Sequence, residues 1–130
     1  MPPFTAPVRT KLYPGEIEFF KKNLNTTGMA ADDNSVILNP YSKLNDESKQ
    51  SVIRNETARI FMRTNEFYPQ FDLTPEQKET FKEYPKYTKG NNRSVKETIA
   101  ARALSGDSSA GILTPEQQQF VESLRYFMGW

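Results

Sequence analysis

Residues 45–64 read NDESKQSVIRNETARIFMRT, the longest run of the chain that keeps a helical period without Gly or Pro. Asn45 stands where a side-chain oxygen accepts from the free N–H groups of a first turn. Asp46 and Glu47 follow, where the helix dipole favours negative charge. Val52, Ile53, Ile60 and Phe61 fall on one face at 3.6 residues per turn, whereas Arg54, Asn55, Arg59 and Arg63 fall elsewhere and read as solvated. Glu56 and Thr57 sit inside the apolar stripe. A carboxylate there either faces a partner or reaches Arg59 or Arg63 along its own helix, and structural pairs of the second kind are the commoner state.

Outward from this helix the chain divides into shorter helices and long connectors. Residues 14–24, PGEIEFFKKNL, carry Ile17, Phe20 and Leu24 on one face, with acids early and lysines late. Leu73-Thr74-Pro75-Glu76-Gln77 gives a capping Thr, Pro at the first helical position and a Gln able to reach back. Leu113-Thr114-Pro115-Glu116-Gln117 repeats that start, and its helix is expected to pack through Phe120, Val121, Leu124 and Phe127/Met128. The unequal spacing of the helix starts near 44, 73 and 113 marks reused capping chemistry, not a structural repeat. Ser94-Val95-Lys96-Glu97 reads as a capping box for a helix to about Ser105, with Gly106 as the residue after its end. The two last helices then form an αα-hairpin across GDSSAG, residues 106–111.

The N-terminal part is different. Pro2, Pro3 and Pro7 bias residues 1–12 to extended backbone, with Phe4, Val8 and Leu12 as spaced anchors. Residues 25–43 form a long connector punctuated by Asn, Thr, Gly and Asp, and Ser35-Val36-Ile37-Leu38 is its one β-like run, which needs a partner edge. The expectation is an all-α protein: a small bundle of about five short helices with an extended N-terminal arm and long irregular connectors. Residues 1–43 are the arm with one short helix, and residues 44–130 are the helical domain.

Composition narrows the function classes. The 130 residues are 36% hydrophobic and 12% aromatic, which points to a small core built of large rings. With 17 basic and 16 acidic residues the net charge is +1, which offers no general attraction to nucleic acid or membrane. The chain has no Cys and no His, so it lacks thiolate chemistry and the commonest metal ligand and general base. No apolar run approaches the roughly 18 residues of a membrane span, and no secretory leader is recognisable, so a non-secreted protein is expected. Gly106-Asp107-Ser108 has the look of a hydrolytic serine turn but no base to serve it. Gly106 and Gly111 have P-loop spacing with Ile112-Leu113 where Lys-Ser/Thr belongs. Asp32-Asp33-Asn34 lacks the alternating oxygens of a calcium loop and reads as a solvated turn. No catalytic residue, metal ligand or cofactor is expected.

The remaining candidates are contact residues. Phe4, Val8, Val36, Ile37, Leu38, Tyr41, Phe67, Tyr68, Phe71 and Trp130 are the expected partner-binding set, apolar or aromatic positions on the arm, the connector and the helix ends. Lys82, Lys86, Lys89 and Arg93, interleaved with Tyr84 and Tyr87, could touch phosphates, but Glu79 and Glu83 dilute the patch and a plain solvated loop is the commoner state. The run from Asn34 to Arg63 (NSVILNPYSKL…ETARIFMR), with the later ALSGDSSAG…LTPEQQQ, resembles small helical proteins of tailed bacteriophages. The resemblance brings no active site. It implies a non-enzymatic virion accessory (head decoration, cement or adaptor) whose partners are other protein subunits, in the virion or the host cytoplasm. The alternatives are a small effector that blocks a host protein and a weak nucleic-acid-binding module.

Overall fold

The computed structural model describes residues 2–82 and 92–130. Five α-helices and a two-stranded antiparallel sheet follow in the order α1 (Pro14–Lys22), β1 (Gly28–Ala30), β2 (Val36–Leu38), α2 (Asp46–Thr64), α3 (Pro75–Thr80), α4 (Arg93–Leu104) and α5 (Pro115–Met128), with a 3-10 turn at Ser108–Ala110. The protein is thus mostly helical but not all-α. The chain forms two compact units, Thr5–Ile60 and Met1–Phe4 with Phe61–Trp130, and the division falls inside α2 and not at residue 43.

In the Thr5–Ile60 unit the β-like run finds its partner edges. β2 pairs with β1 in the register Gly28↔Leu38, Met29↔Ile37, Ala30↔Val36. On its other edge Val36 N–H donates to Pro7 O (2.8 Å) and Arg9 N–H to Val36 O (2.9 Å), a parallel bridge at Val8. The segment expected as an extended arm is therefore partly bridged to β2 of its own unit. Buried Asn39 then ties the connector down: its amide donates to Thr26 O (2.7 Å) and its oxygen accepts from Tyr41 N–H (2.9 Å). Phe20, Ala31 and Ile37 form the local core, with Leu12 and Met29 against it. α1 stops at Lys22, two residues before the expected end, which leaves Leu24 exposed. A Cβ added at Gly28 would stand 2.6 Å from the Val52 side chain, so β1 packs on α2 at a distance only glycine allows.

α2 opens as expected, with Asn45 Oδ1 accepting from Ser48 N–H at 2.8 Å. Its burial departs from the apolar stripe. Thr57, Ala58, Arg59, Ile60, Phe61 and Met62 are all buried, whereas Val52 and Ile53 are only half-buried. Six consecutive buried residues cover every face of a helix, so a face-by-face reading misplaces Arg59 as solvated. Glu56 lies 3.6 Å from the Arg59 guanidinium, so within this helix it takes the ion-paired state and not an isolated one.

In the other unit Phe71, Leu73, Phe81, Val95 and Ile99 form a core against which Leu113 and Phe120 pack. α4 packs against α5 and the 3-10 turn. The two Thr-Pro-Glu-Gln starts are capping boxes: Gln77 N–H donates to Thr74 Oγ1 and Gln117 N–H to Thr114 Oγ1, each at 3.1 Å, and each Gln oxygen accepts its Thr N–H. The same two amides also meet each other. Gln77 Nε2 donates to Gln117 Oε1 (2.9 Å), Gln117 Nε2 donates to Gln77 Oε1 (2.8 Å), and Gln117 Nε2 also donates to Asp72 O (2.9 Å). Both side chains are buried, so this reciprocal pair satisfies polar atoms that would otherwise be costly. The expected Ser94 box is not formed. α4 begins at Arg93, Ser94 O accepts from Thr98 Oγ1, and Glu97 is buried.

Three helix ends share one hydrogen-bond pattern. After α4, Gly106 N–H reaches Ala103 O and Asp107 N–H reaches Arg102 O; after α5, Gly129 reaches Tyr126 O and Trp130 reaches Arg125 O. These are Schellman ends with glycine in the left-handed region, φ 77° and 72°. α2 ends the same way, with Phe67 N–H on Met62 O, but its left-handed residue is Glu66 at φ 51°.

Replacing Glu66 by Gly is expected to raise stability by about 1 kcal/mol, since an L side chain pays roughly that for the left-handed conformation; equal or lower stability of Glu66→Gly in chemical denaturation would contradict the strain. Gln77→Ala is expected to cost about 1–3 kcal/mol, because it leaves a buried amide and the Thr74 N–H short of partners; the same denaturation series measures it.

Candidate functional site

Among the described residues an open aromatic surface lies where residues 2–4 meet the end of α5. The Schellman end of α5 fixes Trp130 one residue past Gly129, and this aims the indole at the N-terminal segment: Trp130 Nε1 donates to Phe4 O at 3.0 Å. Phe4 N–H donates to Met128 O at 2.7 Å. One residue thus has both backbone groups held by the last turn of α5, while its ring stands edge-on to Phe61 with centroids 5.1 Å apart. Phe67 continues the aromatic array, 6.4 Å from Phe61, 5.2 Å from Phe120 and 5.5 Å from Phe127. Pro2, Phe4, Phe61, Asn65, Phe67 and Phe127 line an open cleft of about 510 Å³. Beside it Phe127 is 49% and Tyr126 76% exposed.

This sorts the expected contact residues. Phe4, Phe67 and Trp130 belong to the array and are half-buried. Phe71 is 2% exposed and belongs to the core, as do Val36 and Ile37 at 0%. Those three cannot meet a partner without unfolding their unit. Leu38 is half-buried, while Val8 and Tyr41 are exposed in the Thr5–Ile60 unit. Tyr68 is half-buried beneath the Arg93 guanidinium, 4.2 Å from its ring centre. Sequence reasoning missed Tyr126, and it assigned Phe127 to the packing face. The signal was present: Gln117, Val121, Leu124 and Met128 are the buried positions of α5, a stripe that leaves Tyr126 outside and Phe127 at its edge.

The phosphate-contact set is partly engaged within the chain. Lys82 Nζ bonds Glu79 Oε1 at 2.6 Å and Arg93 stacks on Tyr68, whereas Lys86 and Lys89 lie outside the described residues. The GDSSAG loop is a turn. Asp107 Oδ1 accepts from Ser109 N–H at 2.9 Å, and this hydrogen bond holds the Asp107 carboxyl below the usual carboxylate range.

An electrostatic centre that the sequence did not disclose sits on Arg9. Its Nη1 and Nη2 bond the two Glu16 oxygens at 2.9 and 2.7 Å, its Nε bonds Asp33 Oδ2 at 3.0 Å, and its Nη1 also donates to Lys11 O at 2.6 Å. Tyr13 stacks 4.5 Å from the guanidinium carbon. Ser35 Oγ bonds Asp33 Oδ1, with Ser35 N–H on the same oxygen. The hydrogen bond from Arg9 chiefly lowers the Glu16 carboxyl from its ordinary value, and the hydrogen bond from Ser35 chiefly lowers that of Asp33. This fork-to-fork geometry joins the N-terminal segment, α1 and the hairpin tip. Asp33, weighed as a cation contact, is committed to it.

Among the described residues no cluster of His, Cys, Asp or Glu is arranged to hold a metal ion, and no helix is long and apolar enough to cross a membrane. Compared with protein-family models, curated proteins and solved structures, the chain matches none.

Because Glu16 and Asp33 titrate lower folded than unfolded, their stabilisation is complete above the ordinary carboxylate range of about 4 and is lost as pH falls through the folded values. Glu16→Gln is therefore expected to melt several degrees below the wild type near neutral pH, with the gap closing under acid. A gap that persists unchanged at low pH would show that the Glu16 charge is not its source.

Proposed function

We propose that this protein is a non-enzymatic structural protein that works by contacting other protein subunits, as an accessory of a bacteriophage virion: a head decoration, cement or adaptor component. The observation that carries the subunit-contact reading is the exposed aromatic surface at the end of α5. Tyr126 and Phe127 stand open beside a cleft whose walls are aromatic rings. Large exposed rings around a concave apolar patch are the usual chemistry of protein contact sites, since they bury much area at little entropic cost. The near-neutral charge, 17 basic against 16 acidic residues, suits contact with protein better than with nucleic acid. The likeness of residues 34–63 and the later loop to small phage proteins supplies the virion setting.

The contact elements in this reading are the aromatic end of α5 and the short N-terminal lead. A long free arm is not among them, because residues 5–43 belong to a folded unit.

Mass spectrometry of purified particles tests the setting, and a Tyr126→Ser/Phe127→Ser double variant tests the surface. The expected result is that the wild-type chain is found in particles, and that the variant melts as the wild type does but is depleted from particles about tenfold or more. Absence of the wild-type chain from particles, with recovery on a host protein, would replace this reading with that of an effector. Normal incorporation of the double variant would remove the α5 surface from it.

A further inference from the structure

Beside the open cleft, residues 2–4 of the chain dock on the end of α5 and form one of the cleft's walls. Phe4 is gripped through its N–H by Met128 O, through its C=O by the Trp130 indole, and through its ring by Phe61. Every one of these groups belongs to the same compact unit, whereas the stretch that follows Phe4, Thr5–Ile60, belongs to the other. Phe4 is thus the anchor of a short lead. We propose that this site at the end of α5 also takes residues 2–4 of a second copy of the chain, and that copies associate by exchanging them.

Three features support exchange with a like chain over capture of an unrelated peptide. First, the site's fit to this segment is already visible in the two main-chain hydrogen bonds and the edge-on ring contact, and a second copy presents the same segment and the same site. Exchange then conserves each contact. Second, Pro2 and Pro3 restrict the backbone of the lead when it is undocked, so little conformational freedom is lost on docking elsewhere. Third, the closed chain leaves the site unfinished. A space of about 510 Å³ stays open beside Pro2 and Phe4, with Phe127 and Tyr126 exposed next to it. A second chain arriving with its lead buries those rings, a gain the closed monomer does not have. The balance between the two forms is one of effective concentration, so high local concentration on an assembly surface favours exchange.

The inference deepens the proposed subunit-contact role by naming one partner, and it rests on that reading only for its biological setting. The chain has no Cys, so introduced thiols report cleanly. Pro2→Cys and Asn65→Cys place one thiol on the lead and one on the cleft wall. The two single variants are mixed, treated with a short bismaleimide and run on a denaturing gel, and light scattering gives the mass of the untreated wild type. A cross-chain product is expected that grows with protein concentration. It falls about tenfold when Phe4→Ala or Trp130→Phe is added, or when a synthetic peptide of residues 2–7 is in excess. Circular dichroism of each variant confirms the helical fold, and the peptide arm needs no variant beyond the reporters. Crosslinking only within the double variant, with no cross-chain product and a monomeric mass at every concentration, would overturn the proposal. So would a cross-chain product indifferent to the peptide and to both substitutions. These outcomes are independent of whether the chain is found in particles.

Discussion

Two buried glutamine side chains do for one half of this protein what no apolar contact could. Gln77 and Gln117 each close the capping box of their own helix and then bond each other through both amide groups. Each oxygen accepts twice, from a Thr N–H and from the opposite amide. The arrangement fixes two helix N-termini side by side, and it has to be complete, because a buried amide with one bond missing costs more than an apolar residue in its place. α3, at six residues, is too short to persist alone. It exists because this pairing and the Phe71, Leu73 and Phe81 core hold its first and last turns.

The Thr5–Ile60 unit solves a similar problem with charge. Its strands are three residues each, too short to form a sheet unaided. Arg9 joins the segment bridged to β2 at Val8 to α1 and to the hairpin tip by bonds that use much of the donor fork of the guanidinium. Asn39 ties the connector to the turns before it. Both units therefore substitute specific polar locks for the aliphatic bulk that a chain of 36% hydrophobic residues does not supply. This also explains why the rings of the core are large and why several remain at the surface.

What could be read from the sequence was local. The caps at Asn45, Thr74 and Thr114 and the left-handed glycine at 106 depend on a few adjacent residues, and they stand where expected. What escaped was set by distant partners. β1, Gly-Met-Ala, has no β-branched residue and becomes a strand only because Val36–Leu38 lies beside it. Arg59 looked solvated on a helical wheel, which cannot show a stretch covered on all sides. Ser94 lost its role as a cap because α4 starts earlier, at Arg93. The contact surface was half visible: Phe4 and Trp130 were singled out separately, but nothing in the order of residues shows that one indole reaches the other's carbonyl. α2 ends at Thr64, as the run 45–64 implied, but the left-handed Glu66 that follows escaped, since a Schellman turn without glycine carries no mark.

The division of the chain has a consequence for the order in which a ribosome delivers it. Thr5–Ile60 is one continuous stretch, so its strands, its Arg9 bonds and the first turns of α2 can all form as soon as residue 60 has emerged. The other unit is interrupted in sequence. The carbonyl of Met128 and the indole of Trp130 that hold residues 2–4 are made more than a hundred residues after them. Throughout that interval residues 2–4 lack the groups that hold them in the finished chain. The Thr5–Ile60 unit can therefore be complete before the other unit closes on Phe4.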